Sequence, residues 1–387
     1  GQGSAIAISY PAIPGSLGDE AMCEALNKEL RSTGCNRLGL ITHDSNSNLN
    51  GFDELQLRPG KFAFSWWSFC RWLARYDALG LMGADVIDGY YSARNSLARL
   101  HLIDCARRMG LRTVLLGFSY RADPEPKVLA ELKNIGDAVT LLARDPMSLE
   151  RVRSLTGQSP IQVADLAFLL QGTLSSARVS EARRWIETEK AQGNKVVGLN
   201  CNPQSLGSDL SYKAHQLADN YAKAAASLAS TDSQVRFLIV PHDCRGDFSD
   251  VDAAHHIWNS MDGNTRQKTR LIGETWTASE IKGIAGLLDY SITGRMHFAI
   301  ACLGSGVPAG SLTYQDKFEG LYQHFELDGM CIKGSDGLSL ERLITFFNHI
   351  HRLSDASRIK VLAKLPHVND LARRNITALL GEPLMNE

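Results

Sequence analysis

The sequence predicts an α/β protein built as two successive halves, each a parallel sheet with helices on both faces. Three observations carry that prediction. Short β-rich runs alternate with longer amphipathic runs along most of the chain, which is the pattern of strands joined by crossover helices. The alternation stops at a polar gap, Gly172-Thr173-Leu174-Ser175-Ser176, and then restarts. At 387 residues the chain is long enough for two cores.

In the first half the strand candidates are 5–10, 37–42, 85–88, 112–118, 138–142 and 161–163, each a short run of apolar or β-branched residues. Between them, 19–31, 65–78, 93–109, 125–134 and 147–155 carry spaced apolar positions with charges between, as amphipathic helices do. The gap after Leu170 interrupts both periodicities and is rich in turn formers, so the domain boundary is placed there. Beyond it, 195–201, 235–241, 270–273, 289–293 and 307–312 read as strands, and 210–229, 252–260, 278–286 and 338–351 as helices. The expected domains are therefore 1–172 and 177–350, with a last helical segment, 354–380, crossing back to complete the first.

Composition excludes several classes of function. With 41 basic and 42 acidic residues the formal net charge is -1, so there is no global pull toward nucleic acid, and any cationic site must be local. The charged and hydrophobic fractions, 21% and 44%, are those of a folded protein. No apolar run reaches the roughly 18 to 20 residues of a membrane span, and the start lacks the parts of a signal peptide. A cytoplasmic location, at most peripheral at the inner membrane face, is the expectation. The eight cysteines form no Cys-x-x-Cys pair, and His255-His256 are adjacent on a helix and point apart, so no metal site is expected.

One junction concentrates cationic chemistry. Tyr290 to Thr293 reads as the end of a buried strand, Gly294 permits a tight exit, and an apolar helix starts at once. Arg295 and His297 would sit at its N-terminus, where unsatisfied N–H groups and the helix dipole favour an anion and Arg can add a bidentate fork. The next strand delivers Tyr314 and Lys317 to the same carboxyl edge, where open α/β sheets bind ligands. The blander alternative, Arg295 bridging a surface carboxylate and His297 capping its helix, stays open on spacing alone.

The ordered series Gly18-Asp19-Glu20-Ala21, Ala143-Arg144-Asp145-Pro146-Met147-Ser148, Asp165-Leu166-Ala167-Phe168, Gly294-Arg295-Met296-His297, Gly306-Val307-Pro308 and Tyr314-Gln315-Asp316-Lys317 resembles the polysaccharide pyruvyl transferase family over most of the chain. The resemblance implies two Rossmann-like domains facing across a cleft, as in GT-B glycosyltransferases. It also implies transfer of the enolpyruvyl-derived group of phosphoenolpyruvate onto two hydroxyls of a saccharide as a cyclic ketal, in cell-surface or exopolysaccharide biosynthesis. Arg144, Arg295, His297 and Lys317 would hold the donor, and no cofactor or metal is called for. The family's usual Asn two residues before Gly-Asp-Glu is here Ser16, and the glycine-rich turn before the third strand is reduced to Met82-Gly83-Ala84-Asp85, which bears on the acceptor side.

Further candidates come from the residues themselves. Asp19 could orient or deprotonate an acceptor hydroxyl, or simply stabilise its helix N-terminus. Asp88 is better placed than Asp85 for a site, and Tyr90-Tyr91 could offer one ring to packing and one to a sugar. His242-Asp243 is a strand-end pair whose safer reading is a buried turn. The aromatic cluster Phe62, Phe64, Trp66, Trp67, Phe69 and Trp72 would bury some members and leave others as a lip for a lipid-linked acceptor or another subunit. His297 is the choice for general acid or phosphate ligand, Asp19 and Asp88 for other catalytic roles, and Arg144, Arg295, Lys317, Tyr314, Gly294 and Ser16 for substrate binding. The rival readings are a nucleotide-sugar glycosyltransferase of similar build and a non-catalytic saccharide-binding protein.

Overall fold

The computed structural model describes residues 4–10, 16–42, 52–56, 62–314 and 316–384. It divides into two compact units, one of residues 1–14, 22–169 and 367–387, the other of 15–21 and 170–366. The chain thus contributes a short early segment to the second unit and its C-terminus to the first, where the sequence places single breaks at the 172–177 gap and at 354.

The first unit is a parallel sheet of β1 (Ala5–Ser9), β2 (Arg37–Thr42), β3 (Asp53–Gln56), β4 (Ala78–Ala84), β5 (Arg112–Phe118), β6 (Thr140–Ala143) and β7 (Ile161–Gln162), in the order β3-β2-β1-β4-β5-β6-β7. Its helices are α1 (Leu17–Ser32), whose first turn belongs to the second unit, α2 (Phe62–Leu73), α3 (Ala93–Arg108), α4 (Pro126–Ile135) and α5 (Pro146–Thr156). One core cluster joins Leu81, Leu115 and Phe118 to Ile103, Val128 and Leu132, and a second joins Leu79 and Ile41 to Phe69, Trp72 and Leu73. Local chemistry sets the helix ends. In α5, Asp145 caps the start by accepting from the Ser148 N–H, Pro146 occupies the first turn, and Gly157 at φ 74° closes the end.

The strand expected at 85–88 stands instead at Ala78–Ala84, and the preceding helix ends at Leu73 rather than running to 78. Every residue of β4 is buried, so both faces are apolar and the period-two signal of a half-exposed strand is missing. Gly83 is needed there: a Cβ would lie 2.4 Å from that of Phe118 on the next strand.

The second unit is a parallel sheet of β8 (Lys195–Asn200), β9 (Val235–Ile239), β10 (Thr269–Leu271), β11 (Tyr290–Thr293), β12 (Ala309–Thr313) and β13 (Cys331–Lys333), ordered β10-β9-β8-β11-β12-β13. Around it lie α6 (Ala177–Ala191), α7 (Ala214–Thr231), α8 (Asp250–Ser260), α9 (Gly263–Gln267), α10 (Ala278–Ala285), α11 (Met296–Leu303) and α12 (Lys317–Gln323). The two expected terminal helices are one, α13 (Leu340–Leu380), 41 residues long with Pro366 inside it. Its last turns belong to the first unit. Asn375, fully buried there, accepts from the Gly117 N–H at 3.0 Å and donates to the Ala164 carbonyl at 3.1 Å. Among the described residues no helix is long and apolar enough to cross a membrane.

Candidate active site

In the second unit the strand order reverses between β8 and β11, and the residues beyond the carboxyl ends of those two strands form the candidate site, as open α/β sheets dictate. Buried amides and hydroxyls lock the junction. Asn200, ending β8, accepts from the Thr293 hydroxyl at 2.7 Å and donates to Asp250 at 2.9 Å. Asn202 donates to the Gly294 carbonyl at 2.9 Å. A Cβ on Gly294 would stand 2.6 Å from that of Asn202, so the two loops meet this closely only because residue 294 is glycine.

Arg295 follows, and α11 starts behind it without a side-chain cap. Its guanidinium is held on three sides. Nε and Nη2 donate to Asp250 at 3.1 and 2.8 Å, Nη1 donates to Gln204 at 3.2 Å, and Asp243 lies 3.5 Å away. The Asp250 side chain is fully buried and that of Arg295 is 13% exposed. Burial works against the Arg295 charge, but Asp250 and then Asp243 more than offset it and raise its pKa. Arg245 is the more open cation: it forks onto Asp243 at 2.6 Å and its side chain is 34% exposed. Burial pulls the Asp243 carboxyl up, yet the Arg245 hydrogen bond and the Arg295 charge hold it below the usual carboxylate range.

Around His297 the packing is tight. A Cβ at Gly18 would fall 2.2 Å from His297 Nδ1, so the Gly-Asp-Glu turn lies against the imidazole. That turn sits on the second unit through a bridge between Ser16 and Asp243. The hydrogen bond to Asp243 raises the pKa of Arg245, and Asp19, in the first turn of α1, is close enough for its charge to add to that shift. His242 is buried beneath; burial first, then His297 and Arg295, lower its pKa to about 3, so it stays neutral. Beyond the neighbouring strand β12, Lys317 Nζ stands 5.6 Å from the centre of the Tyr314 ring.

The structure thus brings Ser16, Asp19, Gly294, Arg295 and His297 into one neighbourhood, with Tyr314 and Lys317 past the end of the adjacent strand; Asp88 and Arg144 belong to the first unit. There Arg144 is buried, pairing with Asp165 at 2.8 Å and donating to the Ser119 hydroxyl at 2.7 Å. Asp88 is buried past β4 and takes the Tyr90 N–H at 3.0 Å; burial, reinforced by the charge of Asp85, raises its pKa. Tyr90 and Tyr91 are both exposed, and Arg121 covers the Tyr90 ring at 4.9 Å, so neither ring is given over to packing. His256 bonds Asp219 and His255 the Gly273 carbonyl, and among the described residues no group of three or more metal-ligating side chains assembles.

Sequence reasoning missed Asp250, Gln204, Asn200, Asn202 and Arg245. Of these only Arg245 carried a signal, since it stands two residues after a strand-end Asp.

These two parallel doubly wound units define an α/β protein of the GT-B kind. The polysaccharide pyruvyl transferase family profile matches residues 17–316, and the chain belongs to that family. No curated relative matches the sequence. Among solved structures it is similar to a glycosyltransferase from Rickettsia africae (12% identity, 99% of this chain and 100% of that one, TM-score 0.58). It is also similar to a UDP-GlcNAc 2-epimerase from Neisseria meningitidis (12%, 98% and 100%, 0.56) and an α,α-trehalose 6-phosphate synthase from Burkholderia multivorans (9%, 98% and 99%, 0.56). At such identities the likeness is one of fold.

Proposed function

We propose that the protein transfers the enolpyruvyl-derived group of phosphoenolpyruvate onto two hydroxyls of a saccharide, as a cyclic ketal of a cell-surface or exopolysaccharide. The observation that carries the reading is the Arg295 charge, fixed by Asp250 and Gln204 beside His297 at the uncapped start of α11, at the switch point of the second unit. Fixed donors of this kind are worth most where charge develops, here on the departing phosphate.

A general acid protonates the methylene carbon of the donor and leaves an oxocarbenium-like centre at the adjoining carbon. One sugar hydroxyl adds there and loses its proton. A neighbouring hydroxyl then displaces phosphate and closes the ring. His297 is the proposed acid or phosphate ligand, since an imidazole can give up a proton or donate a hydrogen bond to an anion. Arg295 and Lys317 would neutralise the donor's carboxylate and phosphate, with Ser16, Gly294 and Tyr314 lining the pocket. Asp19 is proposed as a group that orients or deprotonates an acceptor hydroxyl. The route asks for no metal or cofactor.

The test is incubation with phosphoenolpyruvate and a panel of oligosaccharides, reading phosphate release together with a ketal mass increment on the sugar. Release of nucleoside diphosphate from nucleotide sugars, with no phosphate from phosphoenolpyruvate, would overturn the proposal in favour of glycosyl transfer.

A further inference from the structure

Helix α2 carries a surface that the proposed chemistry does not use. Its inward side is ordinary core: Phe69 and Leu73 are buried almost completely and Trp72 nearly so. On the outward side Trp66 and Trp67 are 49% and 66% exposed and adjacent in sequence. The Arg71 guanidinium lies 4.8 Å from the centre of the Trp67 ring, and Arg71 makes no ion pair among the described residues. Two large indoles left in water next to an unneutralised cation are costly unless something covers them.

Charge identifies the cover. Residues 62–76 contain Arg71 and Arg75 and neither Asp nor Glu, in a chain whose net charge is -1. Of the two arginines on or beside the helix, Arg75 is partly neutralised by Asp53 at 2.9 Å. A second copy of the chain docking through this face would set the Arg71 side of one helix against that of the other, and like charges across a symmetric interface oppose association. An anionic membrane matches both components: indoles settle at the headgroup level, and arginine stems lie along the apolar face while their heads reach lipid phosphates.

We propose that α2 docks the protein on anionic lipid bilayers through Trp66, Trp67 and Arg71. Such docking would hold the protein against a surface where saccharides are carried on lipids, and it stands whether or not phosphoenolpyruvate is the donor.

The full chain is sedimented with vesicles of phosphatidylcholine alone and with vesicles containing phosphatidylglycerol. Binding to the phosphatidylglycerol vesicles only, weakening as salt rises, is the expected result. Arg71→Glu should weaken it by more than about fivefold, since each basic residue near such a surface contributes about that factor and the substitution also adds a repulsive charge. Trp66→Ser with Trp67→Ser should reduce it by about tenfold or more. Because these positions are exposed, the far-ultraviolet spectrum and melting temperature should stay as in the parent, which separates lost docking from lost fold. Failure of the parent chain to bind the charged vesicles would overturn the proposal, as would binding by the variants at parental strength. So would a dimer in light scattering that the double tryptophan variant turns into a monomer.

Discussion

Gly18 is the residue whose substitution reads most directly on the proposed chemistry. Gly18→Ala places a methyl 2.2 Å from His297 Nδ1, so either the turn or the imidazole must shift. Overpacking of this sort costs about 1 to 3 kcal/mol. The expected result is a folded protein whose kcat falls at least about tenfold, seen in a phosphate-release assay; unchanged kcat would separate His297 from the reaction. Asp250→Ala acts on Arg295 instead. Removing one partner of a buried pair leaves an uncompensated charge, so a loss of about 3 to 5 kcal/mol in urea unfolding is expected. His242 supplies the pH dependence. Its folded pKa, about 3, lies below the ordinary 6.5, so the unfolded chain takes up the proton first. Stability is therefore full above 6.5 and declines as pH falls toward about 3, and His242→Asn should flatten that part of the stability profile. At this scale the sequence disclosed the contiguous half of the site. Gly294, Arg295 and His297 adjoin one another, whereas Asp250 and Gln204 reach Arg295 across 45 and 91 residues. Only the sheet order places those loops together.

At the scale of elements, α13 holds the clearest tension between local propensity and tertiary structure. A proline inside a helix removes one hydrogen bond and crowds the preceding turn, at about 3 kcal/mol relative to alanine. Pro366 sits in that position and also where the chain passes from the second unit to the first. Pro366→Ala should raise the unfolding free energy by up to about 3 kcal/mol, seen as a higher denaturation midpoint; a lowered midpoint would mean that the packing around α13 depends on the proline. The two helices that the sequence suggests part at 352–353, before Pro366, so the proline is not what divides them; α13 runs through both. Strand β4 was hidden by its composition and its burial. Its seven residues include Gly80 and Gly83, poor strand formers by composition, and complete burial erases alternation. The glycine exit at Gly294 was legible because its local chemistry is self-sufficient, whereas the Asp145 cap of α5 went unread.

For the whole molecule, the alternation of strands and helices disclosed two doubly wound halves because burial of both sheet faces imposes that pattern on any such sequence. It could not disclose that residues 15–21 join the second unit, since a first helical turn looks the same whichever sheet it rests on. This placement has a thermodynamic consequence. Each unit has a sheet and core of its own, and under the proposed function the donor is held chiefly by second-unit residues together with the Ser16 turn. Calorimetry should then resolve an unfolding event that phosphoenolpyruvate raises in temperature. At a donor concentration about 100 times Kd the stabilisation should be about 2.7 kcal/mol by mass action. Arg295→Lys keeps the charge but gives up the fork, and at the same donor concentration it should show a smaller shift. Substitution at Gly18 should move the same event, because the turn that bears it belongs to the second unit. A donor-dependent shift that Gly18→Ala and Arg295→Lys both leave intact would place the phosphoenolpyruvate site away from the β8–β11 switch point.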